Sequence, residues 1–373
     1  MTSVERTFPT GGPVPAEDLV GREDVLRELL ARTFDHGNSV LLTGPRQVGK
    51  TSVIDELLRR VRKAQGWGIY IDCSRTTGDE RELAGLIART TYDDASGSMG
   101  AFGRLKEIIS GVPKPVLYQS DIDLALTFHG SEPQPASVLL ERALGLADDL
   151  ASQKSKRCVV VYDEFSALAK VSPTIFPRVR AALQRSMTHT AYVFMGSEVG
   201  LLERLFKDPE FMPFGLAVPM TLGEPDRGAW RRYIERRFAK LKVPLRRGDA
   251  DALIDFTGGH PRDLMEACEH LLTIRSLNPD AEAAVRLAEH KTLNSLRMKF
   301  DELWRRLDEP AGTQETVARM AAGRPIYGRG RPATSVRRTV EKLEREGIVR
   351  RAGKGVYEFT EPLFGRYVRE LTT

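Results

Sequence analysis

Three cysteines in 373 residues, Cys73, Cys158 and Cys268, are few, odd in number and far apart, and none belongs to a C-x-x-C pair. That argues against a disulfide framework or a zinc site and fits a reducing compartment. No run approaches the roughly 20 apolar residues that span a bilayer. The opening stretch MTSVERTFPTGGPVPAEDL has charges and prolines where a signal peptide needs an apolar core. No repeat and no extended low-complexity tract occurs. With 41% hydrophobic and 29% charged residues, the composition is that of a soluble globular protein long enough for two or three domains. We read it as cytoplasmic, with no membrane partner. The formal charge of +5 is too small to argue for nucleic acid by itself, so the distribution of charge matters more.

What the chain does contain is an alternation of short apolar runs with helical patterns. Residues 1–16, rich in Pro and Gly, read as a flexible leader. LVGREDVLRELLARTF (19–34) has Val25, Leu26, Leu29 and Leu30 on one helical face. NSVLLTG, GWGIYIDCS, RCVVVYDEFSAL and TAYVFMGSEVGLL each read as a strand, with GKTSVIDELLRRVRKA a helix after the first. This order predicts an α/β fold with a parallel sheet, and we place that core at 17–221. From about 222 the patterns are helical, giving a helical lid domain over 222–309, and a basic domain follows over 310–373.

The motif G-x-x-x-x-G-K-[ST] fits Gly44–Thr51, between a strand and a helix. This is the context in which such a Walker A loop cradles phosphates with its backbone N–H groups. Gly44, Pro45, Arg46, Gln47, Val48, Gly49, Lys50, Thr51 and Ser52 are therefore the candidate nucleotide contacts. Lys50 would reach the β- and γ-phosphates, Thr51 would ligate Mg²⁺, and the helix start would face the anion. Asp163 and Glu164 end the apolar run CVVVYDEF, where strand ends face a ligand crevice. Asp163 would join the Mg²⁺ shell through water, and Glu164 would polarise the attacking water. Ser197, after the next strand, either meets the γ-phosphate or the lytic water, or caps a turn.

LVGRE, GPRQVGKTS, VVVYDEF, VFMGSEVGLLERLF and TGGHPRDL occur in this order. Together they resemble the archaeal-type P-loop ATPase family, close to the AAA+ and STAND groups and similar in layout to the Orc/Cdc6 initiators, over roughly residues 17–275. The resemblance implies that Val20 and Gly21 lie against adenine. It puts Ser197 at the sensor-1 position and Arg262 at the sensor-2 position on the γ-phosphate. It leaves Arg185 and Arg204 as alternatives for an arginine finger acting across subunits. Lys50 and Asp163 are 113 positions apart, more than a minimal core needs. We assign the surplus, about 92–137, to an insertion for a lid or a protein partner, with an added hairpin in KPVLYQSDIDLALTFHG.

At the C-terminus QETVARMAAG and PATSVRRTVEKLEREGIV read as helices, and IVRRAGKGVYEFTEPLF as two short strands. This is the winged helix-turn-helix plan, although RPIYGRGRP stands as a loop where a further helix is usual. Residues 321–373 hold twelve Lys/Arg against six Asp/Glu. Arg329, Arg331, Arg337, Arg338, Arg350, Arg351 and Lys354 could meet the phosphates of double-stranded DNA, with Ser335 and Arg338 placed for base edges. The alternative is a domain used for packing or subunit contact. The leading function is an ATP-hydrolysing, Mg²⁺-dependent ATPase whose nucleotide state moves the lid and winged helix, with DNA as the output. An ATP-bound scaffold or initiator without turnover is the alternative, and a phosphotransferase ranks last.

Overall fold

The computed structural model describes residues 7–76, 78–97, 115–116, 127–128, 135–172, 174–196, 202, 206, 217–308, 312–327, 332–353 and 355–372. In chain order the elements are α1 (Glu23–Leu30), β1 (Val40–Thr43), α2 (Lys50–Lys63), β2 (Trp67–Asp72), α3 (Glu80–Gly97), β3 (Pro115–Val116), β4 (Thr127–Phe128), α4 (Ala136–Gln153), β5 (Cys158–Asp163), α5 (Ile175–Arg185), β6 (Thr190–Met195) and β7 (Val218–Thr221). Then come α6 (Arg227–Lys240), α7 (Asp249–Thr257), α8 (Pro261–Leu277), α9 (Ala284–Arg306), α10 (Thr313–Ala321), α11 (Ala333–Arg345), β8 (Val349–Gly353), β9 (Val356–Phe359) and α12 (Pro362–Thr372). The described residues form two compact units, one drawn from 24–43 and 53–221, the other from 1–23, 44–52 and 222–373.

The first unit is built on a five-stranded parallel sheet in the order β2-β5-β6-β1-β7. Every residue of β1, β5 and β6 is buried, as expected for strands covered on both faces. Ile69, Val160 and Phe194 of the sheet share a core with Leu83 and Ile87 of α3, Leu140 and Leu144 of α4, and Val179 of α5. β2 and β5 end level, Asp72 opposite Asp163. The four strands expected from apolar runs are all present. β7 was not legible, because it is an edge strand with alternating exposure and Pro219 in place of a ladder donor. Most of the expected insertion lies outside the described residues. Its start continues α3 as far as Gly97, and the hairpin expected there is represented by β3 paired antiparallel to β4.

The second unit has two cores. Trp230, Ile234 and Phe238 of α6 pack with Leu253 of α7, Leu271 of α8, and Phe8 and Val20. Phe8 is 2% exposed, with its ring 6.1 Å from Tyr233 and 5.8 Å from Phe238. The buried Arg237–Asp18 ion pair, to which the Tyr233 hydroxyl donates at 2.8 Å, ties down the same segment. Phe8 is therefore anchored in this core, inside the segment 1–16 expected as a flexible leader. One aromatic among prolines gave no periodicity to detect.

The second core joins Phe256 of α7 and Leu296 and Phe300 of α9 to Val317 of α10, Leu343 of α11, and Leu363 and Phe364 of α12. The domain boundary expected at 309/310 therefore cuts across a shared core. α9 serves both cores, Ala284 and Ala288 in one, Leu296 and Phe300 in the other. β8 and β9 pair antiparallel, so helix, helix and two-stranded sheet follow in the expected order. Residues 324–327 are not helical, and 328–331 lie outside the described residues.

Phe8→Ala should lower stability by about 3 kcal/mol through the cavity it leaves, read as a shifted urea midpoint. An unchanged midpoint would return this segment to the role of a free leader.

Candidate functional site

The loop between β1 and α2 belongs to the second unit, and its carbonyl groups are held there one by one. Lys50 Nζ donates to the carbonyls of Gly44 and Pro45, each at 2.8 Å. His260 Nε2 bonds the carbonyl of Arg46 at 3.0 Å. Arg22 donates to the carbonyl of Val48 at 2.8 Å and to that of Gly223 at 2.6 Å. Burial lowers the Arg22 pKa to about 10 against the opposing pull of Glu224, which leaves it charged at neutral pH. Gly44 has no room for a side chain, since a Cβ would stand 2.4 Å from the carbonyl oxygen of Leu222. Gln47 takes φ 59° without being glycine, the sort of local strain that collects at binding loops. Ser52 is buried and accepts the Val14 amide at 3.0 Å.

The start of α8 faces this loop. Gly258 and Gly259, at φ 64° and 73°, reverse the chain after α7, and Pro261 opens α8 at the position where its missing N–H costs nothing. His260 is fully buried, with Nδ1 3.3 Å from the Asp263 carboxylate. Burial opposes its charge, but Asp263, the Arg46 carbonyl and Glu361 together raise its pKa above the ordinary 6.5. Arg262 reaches the Gln47 side chain at 3.4 Å and lies 3.9 Å from both Asp263 and Glu266. Lys299 of α9 donates to the same Gln47 oxygen at 3.3 Å and pairs with Glu361. Arg22, His260 and Lys299 were not predicted. The first two lie inside LVGRE and TGGHPRDL, where the motifs could have shown them, whereas Lys299 is one cation in a long polar helix.

The acids lie in the first unit. β5 ends at Asp163, which is 9% exposed. Burial raises its pKa, opposed by bonds from the Tyr70 hydroxyl and the Glu164 amide, the latter at 2.8 Å. Glu164 follows in the left-handed region at φ 47°, and a Cβ built on Gly196 would lie 3.4 Å from its carboxylate. Asp55 of α2, one turn beyond Thr51, is also shifted upward, by burial and then, against Arg62, by Asp163. The residues on either side of the acids are aromatic, Tyr162 stacking on Phe194 and Phe165 meeting both rings edge-on. Tyr70 was missed as well, since a tyrosine in a strand carries no motif.

The structure thus brings Gly44–Ser52 together with Arg262 in one unit, and Asp163 with Glu164 in the other. Val20 packs into the core beside Trp230 and Tyr233, and Gly21, at φ 63°, fits against Pro225 and Ala229. Arg185 is exposed and ion-paired with Glu141. Arg337 pairs with Glu341 at 2.8 Å, and Arg350 with Glu358 at 3.1 Å and Glu224 at 3.4 Å. Arg338 and Arg351 are exposed, and Ser335 is half-buried. Ser197, Arg204, Arg329, Arg331 and Lys354 lie outside the described residues. Among the described residues no group of three or more His, Cys, Asp or Glu could hold a metal alone. Magnesium needs no such group, because one or two oxygen ligands with phosphates and water suffice.

Residues 18–194 match the model of the AAA ATPase domain. The fold is that of the Walker-type ATPase PABY2304 of Pyrococcus abyssi, at 19% identity and a TM-score of 0.70, over 98% of this chain and 100% of that one. It is shared by the ORC2 protein of Aeropyrum pernix in ADPNP–ADP complexes, at 13% identity and a TM-score of 0.60, over 98% and 96% of the chains. No curated protein matches by sequence. The chain thus carries a match to the AAA ATPase domain over 18–194 and shares the fold of these two proteins.

The stability that His260 contributes should be fully present below pH 6.5 and lost as pH rises through its higher folded value. His260→Asn should remove that slope in denaturation measured from pH 5.5 to 8.5, and a wild-type curve flat over this range would refute the charged contact.

Proposed function

We propose that the chain binds Mg·ATP at Gly44–Ser52, hydrolyses it, and uses the nucleotide state to act on double-stranded DNA through its C-terminal domain. The observation that carries the ATP reading is the set of loop carbonyls tied to Lys50, His260 and Arg22. A loop so held keeps the shape in which its amides serve a polyphosphate. The complexes in which the Aeropyrum pernix ORC2 protein was solved support a nucleotide as ligand. Adenine would lie against Val20 and Gly21, and the phosphates on the loop and Lys50.

β1 and β5 are parallel strands of one sheet with β6 between them, and the loop continues directly from β1. That topology supports Asp163 and Glu164 acting on the nucleotide the loop holds. Thr51 and Asp163 would hold magnesium, which neutralises developing phosphate charge when bound. Tyr70, donating to Asp163, orients that carboxylate. Glu164 would take up the proton of the attacking water, with Ser197 beside it. Arg262, on Gln47, would meet the γ-phosphate, and a finger from another copy would come from Arg185 or Arg204. The region about 92–137 would take a partner or form a lid.

For DNA, the support is the local excess of positive charge and the helix, helix and two-stranded sheet that present Ser335, Arg338 and Arg351. With Arg337 and Arg350 held by carboxylates, Arg338 and Arg351 are the stronger candidates for phosphate contact, and Arg329, Arg331 and Lys354 would join them in this winged helix.

Phosphate release should fall by about 10²-fold or more in Glu164→Gln, with ATP binding kept, and Lys50→Ala should abolish binding in calorimetry. Equal turnover in both variants and wild type would refute the assignment. Arg338→Ala and Arg351→Ala should each weaken DNA binding regardless of sequence and reduce the salt slope by about one. Unchanged slopes would leave the domain a packing element.

A further inference from the structure

We propose that Lys299 is a second cation for the terminal phosphate, and that Glu361 competes with that phosphate for it, which carries nucleotide state to the C-terminal domain. This rests on the reading of Gly44–Ser52 as a triphosphate loop. Lys299 Nζ lies between two acceptors, the Gln47 side-chain oxygen at 3.3 Å and the Glu361 carboxylate. Gln47 is a loop residue that also takes Arg262 at 3.4 Å, so two cations converge on one neutral amide oxygen beside the phosphate-binding amides.

The other acceptor belongs to the C-terminal domain. Glu361 directly precedes α12, and its carbonyl accepts the Phe364 amide at 3.0 Å. Its side chain is 12% exposed. The next residue, Pro362, packs on Gly258, where a Cβ would meet it at 2.9 Å. Two positions beyond Gly258, His260 bonds the loop carbonyl of Arg46 and is itself influenced by Glu361. Loop, α8 start, Lys299 and α12 are thus in continuous contact within one unit.

An ammonium is a compact point charge with three donors on a flexible stem, so it can exchange acceptors without the geometric demands of a guanidinium. A γ-phosphate carries full negative charge where Gln47 offers only an amide dipole. ATP therefore draws Lys299 away from Glu361, whereas ADP, lacking that group, leaves the pair intact. Arg262 binds the same phosphate but has no acceptor in the C-terminal domain among its described contacts, so the link to α12 belongs to Lys299.

The test is fluorescence titration of wild type, Lys299→Met, Lys299→Arg and Glu361→Gln with mant-ATP and mant-ADP, joined to hydrogen exchange over residues 361–372. Lys299→Met should lose about tenfold in its preference for ATP over ADP, the worth of one charge-assisted bond, with ADP affinity kept. Its α12 exchange should respond equally to both nucleotides. Lys299→Arg should keep part of the preference, and Glu361→Gln should tighten ATP alone. Wild-type binding with an unchanged ATP/ADP ratio in Lys299→Met overturns this assignment and leaves the loop reading intact. A wild type that binds neither nucleotide overturns both.

Discussion

The hydrogen bonds that hold the carbonyls of the loop at 44–49 are the constraint on which the rest depends. The loop is joined covalently to β1, yet it belongs to the same compact unit as its partners Arg22, His260, Arg262 and Lys299. A loop with glycine at each end has little conformational preference of its own, so its shape comes from whatever bonds its polar groups. Here the buried Arg22 and His260 do so, each holding a loop carbonyl. Order in the loop and order in the helices are therefore two aspects of one equilibrium.

The acids depend on a different support. Asp163 sits buried at the end of β5, and its charge is sustained by the Tyr70 hydroxyl and the Glu164 amide. Glu164 follows with a left-handed backbone. The neighbouring acids thus differ in backbone, Asp163 ending a strand and Glu164 following in the left-handed region.

Much of this was legible in the sequence, for reasons that differ by element. β1, β2, β5 and β6 announce themselves because a parallel strand buried on both faces is an unbroken apolar run, and the loop motif is read from spacing alone. β7 escaped because none of the four residues of this edge strand is buried. Phe8 escaped because a single aromatic has no period, and the shared core escaped because α9 uses two faces in succession, a pattern that reads as one amphipathic helix. The partners of the loop could not be read at all as partners, since the spacing from Arg46 to His260 or from Gln47 to Lys299 is set by the tertiary fold. The arginines of the C-terminal domain were counted correctly, but sequence cannot show which of them already face a carboxylate.

The core that α9 shares with α10, α11 and α12 has a practical consequence. Leu296 and Phe300 are sealed by Leu343, Leu363 and Phe364, so cutting the chain near residue 310 would strip α9 of its covering and leave two greasy faces to find each other in other molecules. The tail is less a tethered bead than the last course of masonry in the helical half, and it should be kept or replaced as a whole.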